Sequence, residues 1–130
     1  VEFSDTDMAG IVHFAAFFRY MESAEHALLR SLGLSVHSEI DGQVVSFPRV
    51  SAHCDFRSPA RCEDELTIEV AVSRIGGKSV TYTFRVLHDA TLVAEGNMTS
   101  VCCRLVGDGR PVSIALPGAI AEKLATYAVD

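Results

Sequence analysis

No apolar run in this chain exceeds a few residues. A helix that crosses a bilayer needs about 20, so no membrane span is expected. No secretory signal is visible. The chain opens on Val1, in what reads as a strand already under way, so N-terminal residues are expected to be missing. Basic residues are in deficit: Lys and Arg number 11 against 17 Asp and Glu, for a net charge of −6. Phosphate-backbone binding needs clustered cations, so a nucleic-acid partner is not expected. The basic residues present are mostly Arg, which suits two-pronged contacts to a local phosphate. CxxC spacing is missing among the four cysteines, Cys54, Cys62, Cys102 and Cys103. Neither a zinc centre nor a disulfide framework is expected. Cys102 and Cys103 would point to opposite faces of a strand. Apolar neighbours make the cysteines read as buried free thiols, which suits a cytoplasmic compartment. Internal repeats, low-complexity tracts and interdomain linkers are absent as well.

What is present is an ordinary globular composition, 130 residues with 48% hydrophobic and 22% charged. That is one domain's worth, since domains commonly run about 100–150 residues. Residues 1–3 read as the end of a strand and residues 4–10 (SDTDMAG) as a polar turn-forming segment. Phe14, Phe17, Phe18, Met21, Ala24, Leu28 and Leu32 recur at helical spacing. They predict a helix of about 18 residues, roughly 27 Å long, stopped by Gly33. So wide an apolar face needs a sheet to wrap it. Residues 44–56 read as a strand interrupted near Pro48. Residues 66–73 and 80–87 alternate with a period of two, separated by a turn at Gly76 and Gly77. After a turn at Asp89 and Ala90, residues 91–106 read as one long strand, closed by Gly107 to Gly109. Residues 114–127 read as a short terminal helix. One strand, a long helix and four further strands predict an α+β fold with an antiparallel sheet. The sheet face turned away from the helix is expected to carry apolar residues, so self-association follows, by default as a symmetric dimer.

The informative chemistry precedes the helix. Asp5 and Asp7 lie there. Asp often caps a helix, but Gly10, Ile11 and Val12 intervene, too many for a helix that begins at Phe14. Ala9-Gly10 lets the backbone approach a ligand closely. The first helical N–H groups, near Phe14, can bind negative charge developing on an oxygen. A carboxylate, a close-approach turn and a helix start together suit attack on a carbonyl. A lone His such as His13 is ordinarily a structural residue. His26, His37 and His88 lack ligand spacing, so no metal is expected. His53 reads as packing. Arg49, Arg57, Arg61 and Arg74 read as solvated ion-pair partners that could also meet a phosphate. The Phe14, Phe17 and Phe18 cluster reads as core that could line an acyl pocket.

Residues 2–24, EFSDTDMAGIVHFAAFFRYMESA, resemble the opening of the 4-hydroxybenzoyl-CoA thioesterase family of hotdog-fold proteins. Residues 56–70, FRSPARCEDELTIEV, and the turn Gly76-Gly77-Lys78-Ser79 resemble later parts of the same family, in the right order. The resemblance implies one hotdog thioesterase domain over residues 1–130, a five-stranded antiparallel sheet wrapped around a long central helix. It implies a homodimer with sheets joined edge to edge, able to pair into a homotetramer, with active sites at the subunit interface. Asp7 matches the family's catalytic carboxylate. The backbone N–H of Phe14 matches the donor that polarises the thioester carbonyl. Gly10 and His13 are implied beside the substrate, and Lys78 and Ser79 near its CoA moiety. No cofactor is implied, because CoA enters as part of the substrate. Many relatives have Tyr followed by His or Tyr where this chain has His13-Phe14, which leaves any side-chain role to His13. The implied reaction is hydrolysis of an acyl-CoA (short-chain, long-chain or aryl) to free acid and CoA. Asp7 would serve as general base on water or as the nucleophile that forms a mixed anhydride.

Two other functions fit the same fold. Acyl-CoA hydratases and dehydratases pair an acid with a His, and Asp7 and His13 offer such a pair. Their pattern places Asn-Pro between the two, where this chain reads Met-Ala-Gly-Ile-Val. Non-catalytic acyl-CoA sensors usually carry a DNA-binding segment, for which this chain has neither the length nor the charge.

Overall fold

The computed structural model describes residues 1–40 and 42–128. Helix α1 (Ala16–Ser31) follows the apolar spacing and buries Phe17, Met21, Leu28 and Leu29. It starts two residues later than the pattern suggests, so Phe14 lies outside it and is 60% exposed rather than core. Gly33 ends it with a φ of +73°, and the Leu34 N–H returns to the Leu29 carbonyl at 2.8 Å, the backward bond of a glycine helix stop. A second helix, α2 (Gly118–Ala125), is shorter than expected.

The strands are β1 (His37–Ile40), β2 (Gln43–Ser46), β3 (Arg49–Phe56), β4 (Thr67–Ile75), β5 (Ser79–His88), β6 (Thr91–Val101), β7 (Cys103–Val106) and β8 (Arg110–Ser113). They form two antiparallel sheets of four strands, β3-β6-β5-β4 and β1-β2-β7-β8, rather than one sheet of five. Residues 1–3 do not form a strand: Phe3–Asp5 is a single 3-10 turn, closed by the Asp5 carboxylate on the Glu2 N–H. The expected long strand breaks at Cys102, whose N–H turns to the Lys78 carbonyl and whose carbonyl takes the Ile114 N–H. Because of that break Cys102 and Cys103 are both buried, instead of facing opposite ways. Cys62 is exposed and Cys54 only half-buried, against the expectation of buried thiols throughout.

Helix α1 lies on the inner face of the β3-β6-β5-β4 sheet, whose strands are the longer ones. Met21, Leu28 and Leu29 pack there with Val72, Val80, Tyr82, Phe84 and Met98. The outer face is polar, not apolar: its rungs read His53–Asn97–Thr83–Ala71 and Asp55–Glu95–Arg85–Glu69. Exposed large apolar side chains sit elsewhere, among them Met8 and Phe14 in the N-terminal segment and Val50 and Phe56 on β3. The two sheet edges also differ. The β4 edge is covered, since the Val72 N–H bonds the Tyr127 carbonyl at 2.9 Å. The β3 edge has no strand partner among the described residues.

Gly96 in β6 faces Cys54 of β3. A Cβ there would collide with the His53 carbonyl, so the two strands can approach only because Gly96 has none. Gly96→Ala is therefore expected to lower stability by about 1–3 kcal/mol, read from the urea midpoint. Gly77→Ala, at an open position, serves as the control and should change little.

Candidate active site

Residues 5–13 form a tied loop in front of α1. Thr6 and Val12 make an antiparallel bridge. Inside it the Asp7 N–H bonds the Ile11 carbonyl at 2.9 Å, and the Gly10 N–H bonds the Asp7 carbonyl at 3.0 Å. Gly10 has a φ of +78°, a left-handed turn position that favours glycine. The Asp7 carboxylate is half-buried. Its Oδ1 accepts the Ala9 N–H at 2.8 Å; Oδ2 has no partner among the described residues. The loop thus orients Asp7 by its own backbone and leaves one carboxylate oxygen unpaired among the described residues.

The Val12 N–H fastens the loop to the fold through the Ala60 carbonyl, and the His13 N–H closes its base on the Asp5 carbonyl, each at 2.8 Å. The Asp5 carboxylate accepts the Glu2 N–H at 3.0 Å and an Arg19 guanidinium N–H from α1 at 3.3 Å. Burial by itself would raise the Asp5 carboxyl, but the Glu2 N–H, the nearby Tyr20 hydroxyl and Arg19 outweigh it and hold the group below its ordinary range. Asp5 is thus the structural member of the aspartate pair.

A cavity of about 370 Å³ opens where this loop, the first turn of α1 and the segment after β3 meet. Asp7, Phe14, Phe17, Phe56, Arg57 and Ser58 line it, with Val12 and Ala60 beneath. Phe17 is buried and its ring meets that of Phe56 at a centroid distance of 5.4 Å. The Phe14 N–H has no hydrogen-bond partner among the described residues. Asp7, Phe14 with its free N–H and the aromatic wall therefore line one cavity. Arg57 stands at its rim in an exposed network with Asp55 and Glu95.

The other expected site residues are placed differently. The exposed His13 ring caps the start of α1 and does not line the cavity. Gly10 is a turn residue outside the lining. Lys78 and Ser79 lie at the β4–β5 turn, at the far end of the sheet. Ser79 is seven residues along β5 from Val86, which is level with Ala94 and Phe56 at the cavity; that is about 24 Å at roughly 3.4 Å per residue. One chain does not bring them to Asp7. The segment from Phe56 to Ala60 was singled out only through its resemblance, and no spacing in the sequence marks it as a cavity wall. Among the described residues, no three His, Cys, Asp or Glu side chains converge as metal ligands. None of the described helices is long and apolar enough to cross a membrane.

The Asp5 carboxyl titrates lower folded than unfolded, so it stabilises the fold above its unfolded value and loses that effect as pH falls through its folded value. Thermal melting of Asp5→Asn should therefore fall less steeply than wild type between about pH 5 and pH 3. An equal acid slope would contradict the assignment.

Residues 1–124 match the family described as the Thioesterase-like superfamily. The 1,4-dihydroxy-2-naphthoyl-CoA hydrolase of Synechococcus elongatus is 31% identical over 103 residues, 78% of this chain and 76% of the relative. The acyl-CoA thioesterase YbgC of Haemophilus influenzae is 25% identical over 113 residues, 87% of this chain and 82% of the relative. The crystal structure of a 1,4-dihydroxy-2-naphthoyl-CoA thioesterase from Synechocystis matches with a TM-score of 0.84 at 26% identity, over 96% of this chain and 90% of that one. With antiparallel sheets about α1 and an aspartate loop at the helix start, the chain belongs to the thioesterase-like superfamily and is a thioester hydrolase of the hotdog fold.

Proposed function

We propose that residues 1–130 form a single hotdog domain that hydrolyses an acyl-CoA to the free acid and CoA. The observation that carries this reading is the shared cavity of Asp7 and the unpaired Phe14 N–H. A thioester carbonyl is strongly electrophilic and a thiolate leaves readily, so no Ser-His-Asp triad is needed. Asp7 acts through its free oxygen, as general base on a water or as nucleophile. The Phe14 N–H, at the positive end of α1, stabilises the oxyanion. The acyl group sits against Phe14, Phe17 and Phe56. Flat rings pack well on such a wall, and relatives named for a naphthoyl-CoA substrate support an aryl acyl group.

A homodimer completes the reading. The open β3 edge is a template for pairing with a second copy. Lys78 and Ser79, too far from Asp7 in their own chain, contact CoA only if a partner brings that turn across. Free cysteines support a cytoplasmic location. Hydration chemistry is disfavoured, since His13 spends its ring nitrogen on the helix start and does not line the cavity beside Asp7.

The test is thiol release from acetyl-, hexanoyl-, palmitoyl-, benzoyl- and 4-hydroxybenzoyl-CoA by wild type and Asp7→Asn. Wild type should turn over an aryl ester fastest. Asp7→Asn should lose about 100-fold or more in kcat. Undiminished hydrolysis by the variant would remove Asp7 from the chemistry.

A further inference from the structure

Three hydrogen bonds converge on His13. Its N–H donates to the Asp5 carbonyl at 2.8 Å, and its carbonyl accepts the Ala16 N–H at 2.9 Å. Its ring Nδ1 accepts the Ala15 N–H at 3.1 Å. The ring also stacks on Phe14, with centroids 4.6 Å and planes 27° apart. The N–H groups of Ala15 and Ala16 are among those a helix leaves without partners at its start. One residue occupies both, the first with its side chain and the second with its backbone.

The peptide between His13 and Phe14 is clamped as a result. The carbonyl and N–H of a trans peptide point in opposite directions. Holding the His13 carbonyl on Ala16 therefore aims the Phe14 N–H away from the helix. With Ala15 and Ala16 satisfied, the N–H groups of Phe14 and Phe17 are left without partners among the described residues, and that of Phe14 is the one ahead of the helix. We infer that His13 is a positioning residue, whose Nδ1 caps α1 and thereby fixes the Phe14 N–H as the oxyanion donor. This role rests on the thioesterase reading above. Accepting at Nδ1 requires the imidazole proton to sit on Nε2. The requirement is for an acceptor at this position, not for an aromatic ring. His13→Phe keeps the ring and the stacking but removes the acceptor. His13→Asn removes the ring, yet its side-chain oxygen can accept from the N–H two residues on.

The experiment compares wild type with His13→Ala, His13→Phe and His13→Asn for kcat and KM on the best aryl-CoA, and for amide hydrogen exchange at Ala15. His13→Ala and His13→Phe should lose about five- to tenfold in kcat, the factor expected for one helix cap, with KM little changed. Exchange at Ala15 should quicken in both. His13→Asn should restore most of kcat and the slow exchange. Wild-type kcat in His13→Phe, or His13→Asn as slow as His13→Ala, would overturn the inference. A raised KM with unchanged kcat would also overturn it, making His13 a substrate contact instead. If wild type hydrolyses no thioester, the functional reading fails on its own. Exchange at Ala15 then decides the cap: quickening in His13→Phe but not in His13→Asn supports it, and equal rates refute it.

Discussion

The site depends first on how α1 lies against the sheet. Met21, Leu28 and Leu29 lose their water contact to Val72, Val80, Tyr82, Phe84 and Met98. Each such side chain contributes about 1.5–3 kcal/mol on burial. Once that face is seated, the start of the helix has one place to be, over the end of β3. Phe17 then meets Phe56, and the tied aspartate loop arrives at the mouth of the cavity. The Val12 bond to Ala60 locks the loop to the wall it faces. Hydrophobic packing thus decides where the polar chemistry takes place.

Among the described residues, one charged side chain lies buried within this packing. Glu25 of α1 is 1% exposed and accepts a hydrogen bond from Arg49, the first residue of β3, at 2.7 Å. Burial pushes the Glu25 carboxyl up, and the nearby Arg49 guanidinium pulls it only partly back. The second Glu25 oxygen, Arg49 Nε and the Ser100 hydroxyl have no partners among the described residues. A pair of this kind adds little net stability, but leaving one member alone typically costs about 3–5 kcal/mol. Arg49 is partly exposed and also meets Glu22 at 3.4 Å, which points to the lower end. The pair fixes the helix against the strand whose outer edge is open, so the helix start and the proposed dimer edge share one anchor.

Much of this was legible in the chain, and the exceptions have specific causes. The spacing from Phe17 to Leu28 reports α1 because one face of a helix repeats every three to four residues. Gly10 is legible as a turn because its φ of +78° suits a residue without a Cβ, and Asp7 stands out through the resemblance of its segment. Strands β1 and β8 escaped notice because four residues carry almost no periodicity. The break at Cys102 comes from the Lys78 carbonyl and from Ile114, each distant in sequence or hidden in a turn. The outer sheet face was misjudged because its polarity depends on which residues share a rung, and register is a property of paired strands.

The sequence alone determined the helix, its glycine stop and the turns between the sheet strands, and its resemblance singled out Asp7 as the candidate carboxylate. These are local matters, settled by neighbours a few residues apart. Tertiary structure decided the rest. It brought Phe56 to Ala60 opposite the aspartate loop, set the His13 ring on the helix start, and left Lys78 and Ser79 at the far end of the sheet. Each outcome is set by contacts between segments far apart along the chain, formed only when α1 and the sheet bury their apolar faces together.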